Sequence, residues 1–196
     1  MPKNRLEAFA DGIFAFAATL LILNLAVETG KPLGPQLLGL WTSYVAYAVS
    51  FVTIGIIWIN HHLALHQIAR VDRPFQVVLF LMLIAFIPFP TRLLALYVDT
   101  PDGQAAALAY GITLTLTAVL INSLWRYAAK GRRLIRDDAD ERVVSGITRS
   151  YLPGPIIYLI ATVMALVSPW LSAALYALIA LFYVLESSVF GRSAPM

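Results

Sequence analysis

The sequence predicts an all-α protein that crosses a lipid bilayer six times. Of its 196 residues, 60% are apolar and only 13% are charged, whereas a soluble domain has roughly 25% charged residues. The apolar residues form six blocks, and about 20 residues of α-helix are enough to cross the hydrocarbon core. Because backbone groups in lipid must be hydrogen bonded within their own segment, helices are expected and open strands are not.

The chain is expected to form a single membrane domain over residues 1–196, because no repeat and no linker divides it. A signal peptide is the alternative for the first block, but Glu7 and Asp11 and the lack of a small-residue cleavage site favour a mature span. The only long polar stretch is a connector over about 128–149. The predicted spans are 6–27, 37–59, 75–98, 104–126, 151–168 and 170–190.

Lysine and arginine are concentrated on one side of this topology. Only Lys31 and Arg92 of the 14 basic residues lie elsewhere, so the positive-inside rule makes that side, with both termini and the connector, cytoplasmic. A net charge of +3 confined to loops does not indicate nucleic-acid binding. The residues on this side are Lys3, Arg5, Arg70, Arg73, Arg126, Lys130, Arg132, Arg133, Arg136, Arg142, Arg149 and Arg192.

One carboxylate lies inside the first span. Asp11 costs at least about 2.5 kcal/mol against lipid, so its side chain is expected to face protein or water. The second span ends in a polar cluster at a comparable depth, because the two spans run antiparallel. We therefore expect a hydrogen bond from Asp11 to His61 or His62. The cluster comprises Trp58, Asn60, His61, His62 and His66.

This cluster has two interpretations. His62 and His66 have the i, i+4 spacing of a metal-binding pair, but the sequence offers no obvious third ligand, so no metal is predicted. The other interpretation is a polar network that ties helices together. The chain has no cysteine, which excludes disulfides, thiolate metal sites and a cysteine nucleophile.

The first span reads Arg5, three residues, Phe9, Ala10 and Asp11, and then the run from Gly12 to Leu25. This stretch closely resembles the first helix of the transmembrane protein 175 family of potassium channels. The family pattern is Arg, three residues, Phe-Ser-Asp and then a Gly-Val-Phe-Ala-Ile-Ala-Ile-Thr-Leu-Leu run, which Arg5, Phe9 and the residues from Asp11 to Leu25 follow. The resemblance extends along the chain: to Ser50, Phe51, Trp58, His61 and His62, to Ile87 through Thr91, and to Ser168 through Leu171.

This resemblance implies a homotetrameric potassium channel in a bacterial plasma membrane, with the first helix of each subunit lining a central pore. Potassium or other monovalent cations are then the permeant species, and no cofactor is implied. The pore constriction falls on Phe16, Leu20 and Leu23, and the selectivity-linked hydroxyl falls on Thr19. The implied polar network comprises Arg5, Phe9, Asp11, Trp58, Asn60, His61 and His62.

Helix geometry agrees with this assignment. At about 100° per residue, Phe16, Leu20 and Leu23 lie within a 60° arc that Thr19 borders, while Asp11 lies on the opposite side. Gly12 falls on the same stripe and would leave a wide vestibule. The chain departs from the family at Ala10, where the family has serine, and at Phe16, where it usually has isoleucine or leucine.

Two other classes of protein are compatible with six spans. A secondary transporter typically shows two related halves and broken helices, and Pro88 and Pro90 are the one deep helix-breaking feature. An intramembrane enzyme would use Asp11 and the histidines as acid and base groups. However, the sequence shows no nucleophile constellation and no lipid-substrate signature, so no enzymatic activity is predicted.

Overall fold

The computed structural model describes residues 3–72 and 74–190, and within these ranges it confirms the all-helical prediction. Arg73 and Arg192, two of the charges used to predict orientation, lie outside the described residues. The α-helices are α1 (Lys3–Leu20), α2 (Leu33–Gly39), α3 (Trp41–Gln67), α4 (Pro74–Phe86), α5 (Pro88–Tyr97), α6 (Gly103–Ala129), α7 (Glu141–Tyr151), α8 (Gly154–Met164) and α9 (Pro169–Phe190).

Four segments of the described chain are long and apolar enough to cross a membrane. They are Lys3–Asn24, Trp41–Gln67, Gln76–Tyr97 and Gly103–Arg132, and they correspond to the first four predicted spans. The first is α1 with a 3₁₀ turn at Leu21–Asn24. The last two predicted spans correspond to α8 and α9, and α8 has only 11 residues, or about 16 Å of helix.

The second and third spans differ from their predicted boundaries. Helix α3 runs beyond residue 59 to Gln67, so the polar cluster after Trp58 is helical. The third span is interrupted at Ile87, between α4 and α5. Pro90 has no N–H to donate to the preceding turn. One residue later, the Ile87 carbonyl accepts two hydrogen bonds, from Thr91 N at 3.1 Å and from the Thr91 hydroxyl at 2.8 Å.

Helix α6 forms the centre of the bundle and packs against α4, α5, α8 and α9. It presents buried side chains along its whole length, from Ala106 to Ala128. Buried hydroxyls bond it to its neighbours. Ser50 on α3 lies 3.0 Å from the Tyr110 hydroxyl on α6 and 2.9 Å from Thr91 on α5.

A second cluster of hydroxyl side chains joins α6 to α8 and α9. Thr162 on α8 lies 2.9 Å from Thr115 on α6 and 2.8 Å from the Tyr176 hydroxyl on α9. The helices meet closely at Gly111, because a Cβ there would lie 2.5 Å from the Tyr176 oxygen and 2.7 Å from Thr162 Oγ1. Gly111 therefore sets how near α8 and α9 approach α6.

The segments that connect the helices lie at the two ends of the bundle. At one end, Lys3 Nζ donates to the Ile68 carbonyl at 2.9 Å, and the chain after α3 pairs with the connector through Ala69 N to Leu134 O at 2.8 Å. At the other end, Trp41 and Trp170 stack at 5.2 Å, and Trp170 donates to Asp99. The first end is called the Lys3 end below, and the second the Asn24 end.

The connector at the Lys3 end is ordered by its own side chains. Asp140 caps α7 by accepting from Arg142 N at 2.7 Å, and Trp125 donates to Thr148 on α7. Arg136 donates two hydrogen bonds to the Asp138 carboxylate, and this contact holds the pKa of Asp138 below its usual value.

Candidate functional site

Helix α1 buries one side against its own subunit. Leu6, Ala10, Phe14, Ala17 and Leu21 are each 3% exposed or less, and they pack against α3 and α4. The side chains are small or medium-sized except Phe14, so α1 lies close to its neighbours. This side fixes the direction in which the rest of the helix faces.

The described residues of the subunit leave the opposite side of α1 uncovered, and we call this side the open stripe. Phe16 is 61% exposed and Leu23 is 64% exposed. The residues of the stripe alternate in spacings of four and three, which is the heptad spacing of helices that pack around a common axis. They are Arg5, Phe9, Gly12, Phe16, Thr19 and Leu23, all of which are exposed.

The predicted constriction residues do not occupy equivalent positions. Phe16 and Leu23 lie on the open stripe, but Leu20 is half-buried at its edge. The helix tightens into the 3₁₀ turn after Leu20, and in a 3₁₀-helix residues three apart eclipse one another. Leu23 lies within this turn, whereas Leu20 is the last residue of α1.

Thr19 keeps its hydroxyl on the exposed surface. The hydroxyl donates to the Phe16 carbonyl at 2.9 Å, three residues earlier in the same helix. Since the proton is used in this bond, the free lone pairs of the oxygen remain available as acceptors. The geometry suits contact with a cation or with the water around it.

Asp11 accepts its hydrogen bond from Trp58, with 2.9 Å between Oδ1 and the indole Nε1. The structure therefore pairs Asp11 with Trp58 instead of His61 or His62. On the next turn of α3, His62 stacks on Trp58, and its Nδ1 lies 3.5 Å from the Glu7 carboxylate. These contacts join α1 to α3 along one side, beside the open stripe.

His61 faces a different direction from His62. It is 7% exposed and lies between the rings of Phe14 and Phe80, with centroid distances of 5.5 and 5.4 Å. Its surroundings are aromatic, which makes it a packing residue between α1, α3 and α4.

The other predicted members of the polar network lie apart from Asp11. The Asn60 carbonyl accepts from the Tyr151 hydroxyl at 2.7 Å, which ties α3 to α7. Arg5 and Phe9 lie on the open stripe, and among the described residues Arg5 forms no ion pair or side-chain hydrogen bond. The heptad spacing that places them there is readable in the sequence, and our sequence interpretation missed it.

The described residues contain no group of three or more His, Asp or Glu side chains that could hold a metal ion. A groove of about 420 Å³ runs beside the Asp11–Trp58 contact, lined by Ala15 and Ala18 of α1 and by Phe51 and Gly55 of α3. The groove is open along its length, so this side of α1 can also receive a neighbouring helix.

Comparisons with known proteins identify close relatives. The family model described as endosomal/lysosomal potassium channel TMEM175 matches residues 5–90. A potassium channel from Chamaesiphon minutus is 40% identical over 192 residues, which cover 94% of this chain and 95% of the relative. A potassium channel from Streptomyces collinus is 37% identical and covers 92% of this chain and 91% of its own length.

A solved structure has the same fold. The crystal structure of a lysosomal potassium-selective channel TMEM175 homologue from Chamaesiphon minutus superposes with a TM-score of 0.85 at 38% sequence identity. It covers 94% of this chain, and the match spans 97% of the solved chain. With relatives this similar along almost their whole length, the chain belongs to the TMEM175 channel family.

Proposed function

We propose that this protein is a subunit of a potassium-permeable channel in which four copies of α1 surround the pore. The homotetramer would lie in a bacterial plasma membrane, with the Lys3 end and both termini in the cytoplasm. The potassium-channel names of the bacterial relatives, at 40% and 37% identity over nearly the whole chain, support this function.

The open stripe is the observation that carries the proposal. It holds no charged side chain between Gly12 and Leu23, and the described residues of the subunit leave Phe16 and Leu23 more than half exposed. A stripe with heptad spacing is the surface through which identical helices meet around an axis. It also includes Gly12 and Thr19, which a purely lipid-facing surface would not require.

Asp11 supports assembly independently of the stripe. Asp11 lies about 12 Å from the start of α1. In a single subunit it is exposed, although Trp58 donates a hydrogen bond to one of its carboxylate oxygens. A carboxylate exposed to lipid at this depth would cost at least about 2.5 kcal/mol. A neighbouring subunit seated in the groove beside Ala15 and Gly55 would remove that exposure.

Six crossings per subunit follow if α8 and α9 act as a hairpin. Helix α9 has 22 residues, while α8 is short and is extended by the turns on either side of it. With four span-length segments before this hairpin, six crossings return both termini to the same side. Residues 1–196 then form one channel domain, with the connector at about 128–149.

Conduction would depend on the width and wetting of the narrow rings. Apolar rings exclude ions because they offer nothing to replace the hydration shell, so a ring of four Phe16 side chains would form the principal barrier. Leu20 and Leu23 would continue the apolar lining, and Thr19 would place hydroxyl oxygens near the ion. Asp11, Trp58, His62 and the buried His61 would hold α1 in position.

Flux measurements in liposomes test this proposal. Purified protein should allow uncoupled, electrogenic potassium flux down an imposed gradient, and no second ion should be needed. Flux that requires a second ion would instead support a secondary transporter. The absence of potassium flux from correctly assembled oligomers would contradict the channel.

A further inference from the structure

We infer that Glu28 and Lys31 form an electrostatic control of cation entry at the Asn24 end of the pore, with Glu28 attracting cations and Lys31 partly cancelling that attraction. This inference rests on the proposed pore. It assigns a function to a charged loop that lies outside the apolar constriction.

Glu28 is placed close to the end of the pore-lining segment. It follows Leu23 by five residues, so the two Cα atoms are at most about 18 Å apart. Both charges are on the surface, since the Glu28 and Lys31 side chains are 72% and 63% exposed. Four copies would put four such pairs around one mouth of the pore.

The loop that carries the pair is fixed by a single side chain. Gln36 on α2 accepts from Glu28 N at 2.8 Å and donates to Glu28 O at 3.1 Å, so its amide holds both backbone groups of Glu28. It also donates to Lys31 O at 3.2 Å. Gly30 has a positive φ of 87°, which allows the tight turn between the two charges.

Stability does not account for the ion pair. Lys31 Nζ lies 2.6 Å from the Glu28 carboxylate, but an ion pair this exposed contributes about 0–1 kcal/mol at most. The backbone of the loop is already held by Gln36. Removing either charge should therefore leave the fold intact and change mainly the electric field outside the mouth.

The field at this end can attract cations. The described connecting segments at this end, residues 25–32, 98–102 and 165–168, carry the carboxylates of Glu28, Asp99 and Asp102 against the ammonium of Lys31. The guanidinium of Arg92 lies about 8 Å before the end of α5, so the carboxylates still outnumber the positive charges. A surplus of negative charge around a mouth raises the local cation concentration and therefore the entry rate. Lys31 lies in contact with one of these carboxylates, so it is well placed to reduce the effect.

Single-channel recording in planar bilayers at two salt concentrations tests the inference. The Debye length is about 30 Å at 0.01 M salt and about 3 Å at 1 M, so charges outside the constriction act only at low salt. At roughly 0.01 M potassium, Lys31→Gln should raise the cation current by about two- to fivefold at one voltage polarity. Lys31→Glu should raise it further, and Glu28→Gln should lower it.

The controls separate charge from structure. Lys130→Gln removes the same charge at the Lys3 end and should leave the current at that voltage polarity unchanged. The double variant Glu28→Gln, Lys31→Gln should give a current close to that of the parent. All differences should disappear at 1 M potassium. If Lys31→Gln and Glu28→Gln leave the low-salt current unchanged, or shift it equally at both salt concentrations, the inference is wrong. A parent protein that passes no potassium would instead refute the proposed function.

Discussion

Phe16 is 61% exposed on a helix whose opposite side is fully packed. In the proposed pore its four rings form the barrier, so Phe16→Ala should widen the ring and increase potassium flux by about tenfold, which corresponds to about 1.4 kcal/mol of barrier. Phe16→Asn should increase flux further because the amide wets the ring. Liposome flux with purified protein measures both effects.

Two other phenylalanines provide controls for this prediction. Phe182 on α9 is 60% exposed, so Phe182→Ala removes an equally exposed ring without touching α1 and should not change flux. Phe14 is buried and contacts the rings of both His61 and Phe80, so Phe14→Ala should cost about 3–5 kcal/mol of stability. Flux that rises on truncation of Phe14 or Ile13 but not of Phe16 would place the pore on another face of α1.

Thr19 carries the one hydroxyl on the open stripe. Thr19→Val keeps nearly the same side-chain volume but removes the hydroxyl oxygen, which is held in place by its hydrogen bond to the Phe16 carbonyl. We expect the potassium-to-sodium permeability ratio to change more than the total conductance. Thr19→Ser retains the hydroxyl and should keep the parent ratio, and reversal potentials under mixed-ion conditions measure it. A ratio that is identical in all three proteins would remove Thr19 from selectivity.

At this scale, the sequence could predict the members of the polar cluster but not their partners. Asp11 and Trp58 were recognised together, yet the hydrogen bond was expected to go to a histidine. The amino-acid sequence predicts the relative depth of two antiparallel helices only to within about one helical turn. One turn of α3 separates Trp58, which bonds Asp11, from His62, which lies near Glu7.

The Asp11–Trp58 contact joins two helices, and a double-mutant cycle can measure it. Trp58→Phe removes the indole donor and leaves the carboxylate with one partner fewer, which should cost about 1–3 kcal/mol of oligomer stability. Asp11→Ala should lower stability as well, and the double variant should lose less than the sum of the two. Thermal unfolding of the oligomer in detergent supplies the values.

The readout for this cycle should also include ion flux. Variants that assemble with parental stability but lose potassium flux would make Asp11 and Trp58 part of the ion pathway. Additive losses of stability would mean that the bond between them contributes nothing.

Gly111 gives a prediction for the packing of α6. Gly111→Ala adds a methyl group 2.5 Å from the Tyr176 hydroxyl oxygen and 2.7 Å from Thr162 Oγ1. The side chains of Tyr176 and Thr162 must therefore move. Overpacking of this kind typically costs about 1–3 kcal/mol. Gly146→Ala on α7 meets no atom within 4 Å and is the matched control, because Gly146 is also a helical glycine. A subunit that tolerates Gly111→Ala without loss of thermal stability would contradict the observed close approach.

The boundaries of the elements were less predictable than their existence. Four span-length segments followed from hydrophobicity alone, because lipid imposes both length and apolar composition. The extension of α3 to Gln67 did not follow, since His61, His62 and His66 appear polar although His61 packs between aromatic rings. The break at Ile87 was signalled by Pro88 and Pro90.

For the whole molecule, the important property is that one subunit leaves its first helix half uncovered. In the proposed tetramer, identical copies around an axis would cover both the heptad-spaced open stripe and the exposed residue Asp11. A single sequence reveals this only weakly, because an open stripe and a lipid-facing stripe are equally apolar. The resemblance to known channels, and not hydrophobicity, supplied the interpretation.

The most direct measurement is a cysteine accessibility scan of α1, which is straightforward because the chain contains no cysteine of its own. Single cysteines at Gly12, Phe16, Thr19 and Leu23 should react with a water-soluble, charged thiol reagent and change the potassium current. Cysteines at the buried positions Ala10, Ala17 and Leu21 should not. Modification that follows the heptad spacing of the open stripe is the result we predict. Modification at the buried positions, with none at Phe16 or Leu23, would contradict a pore lined by this helix.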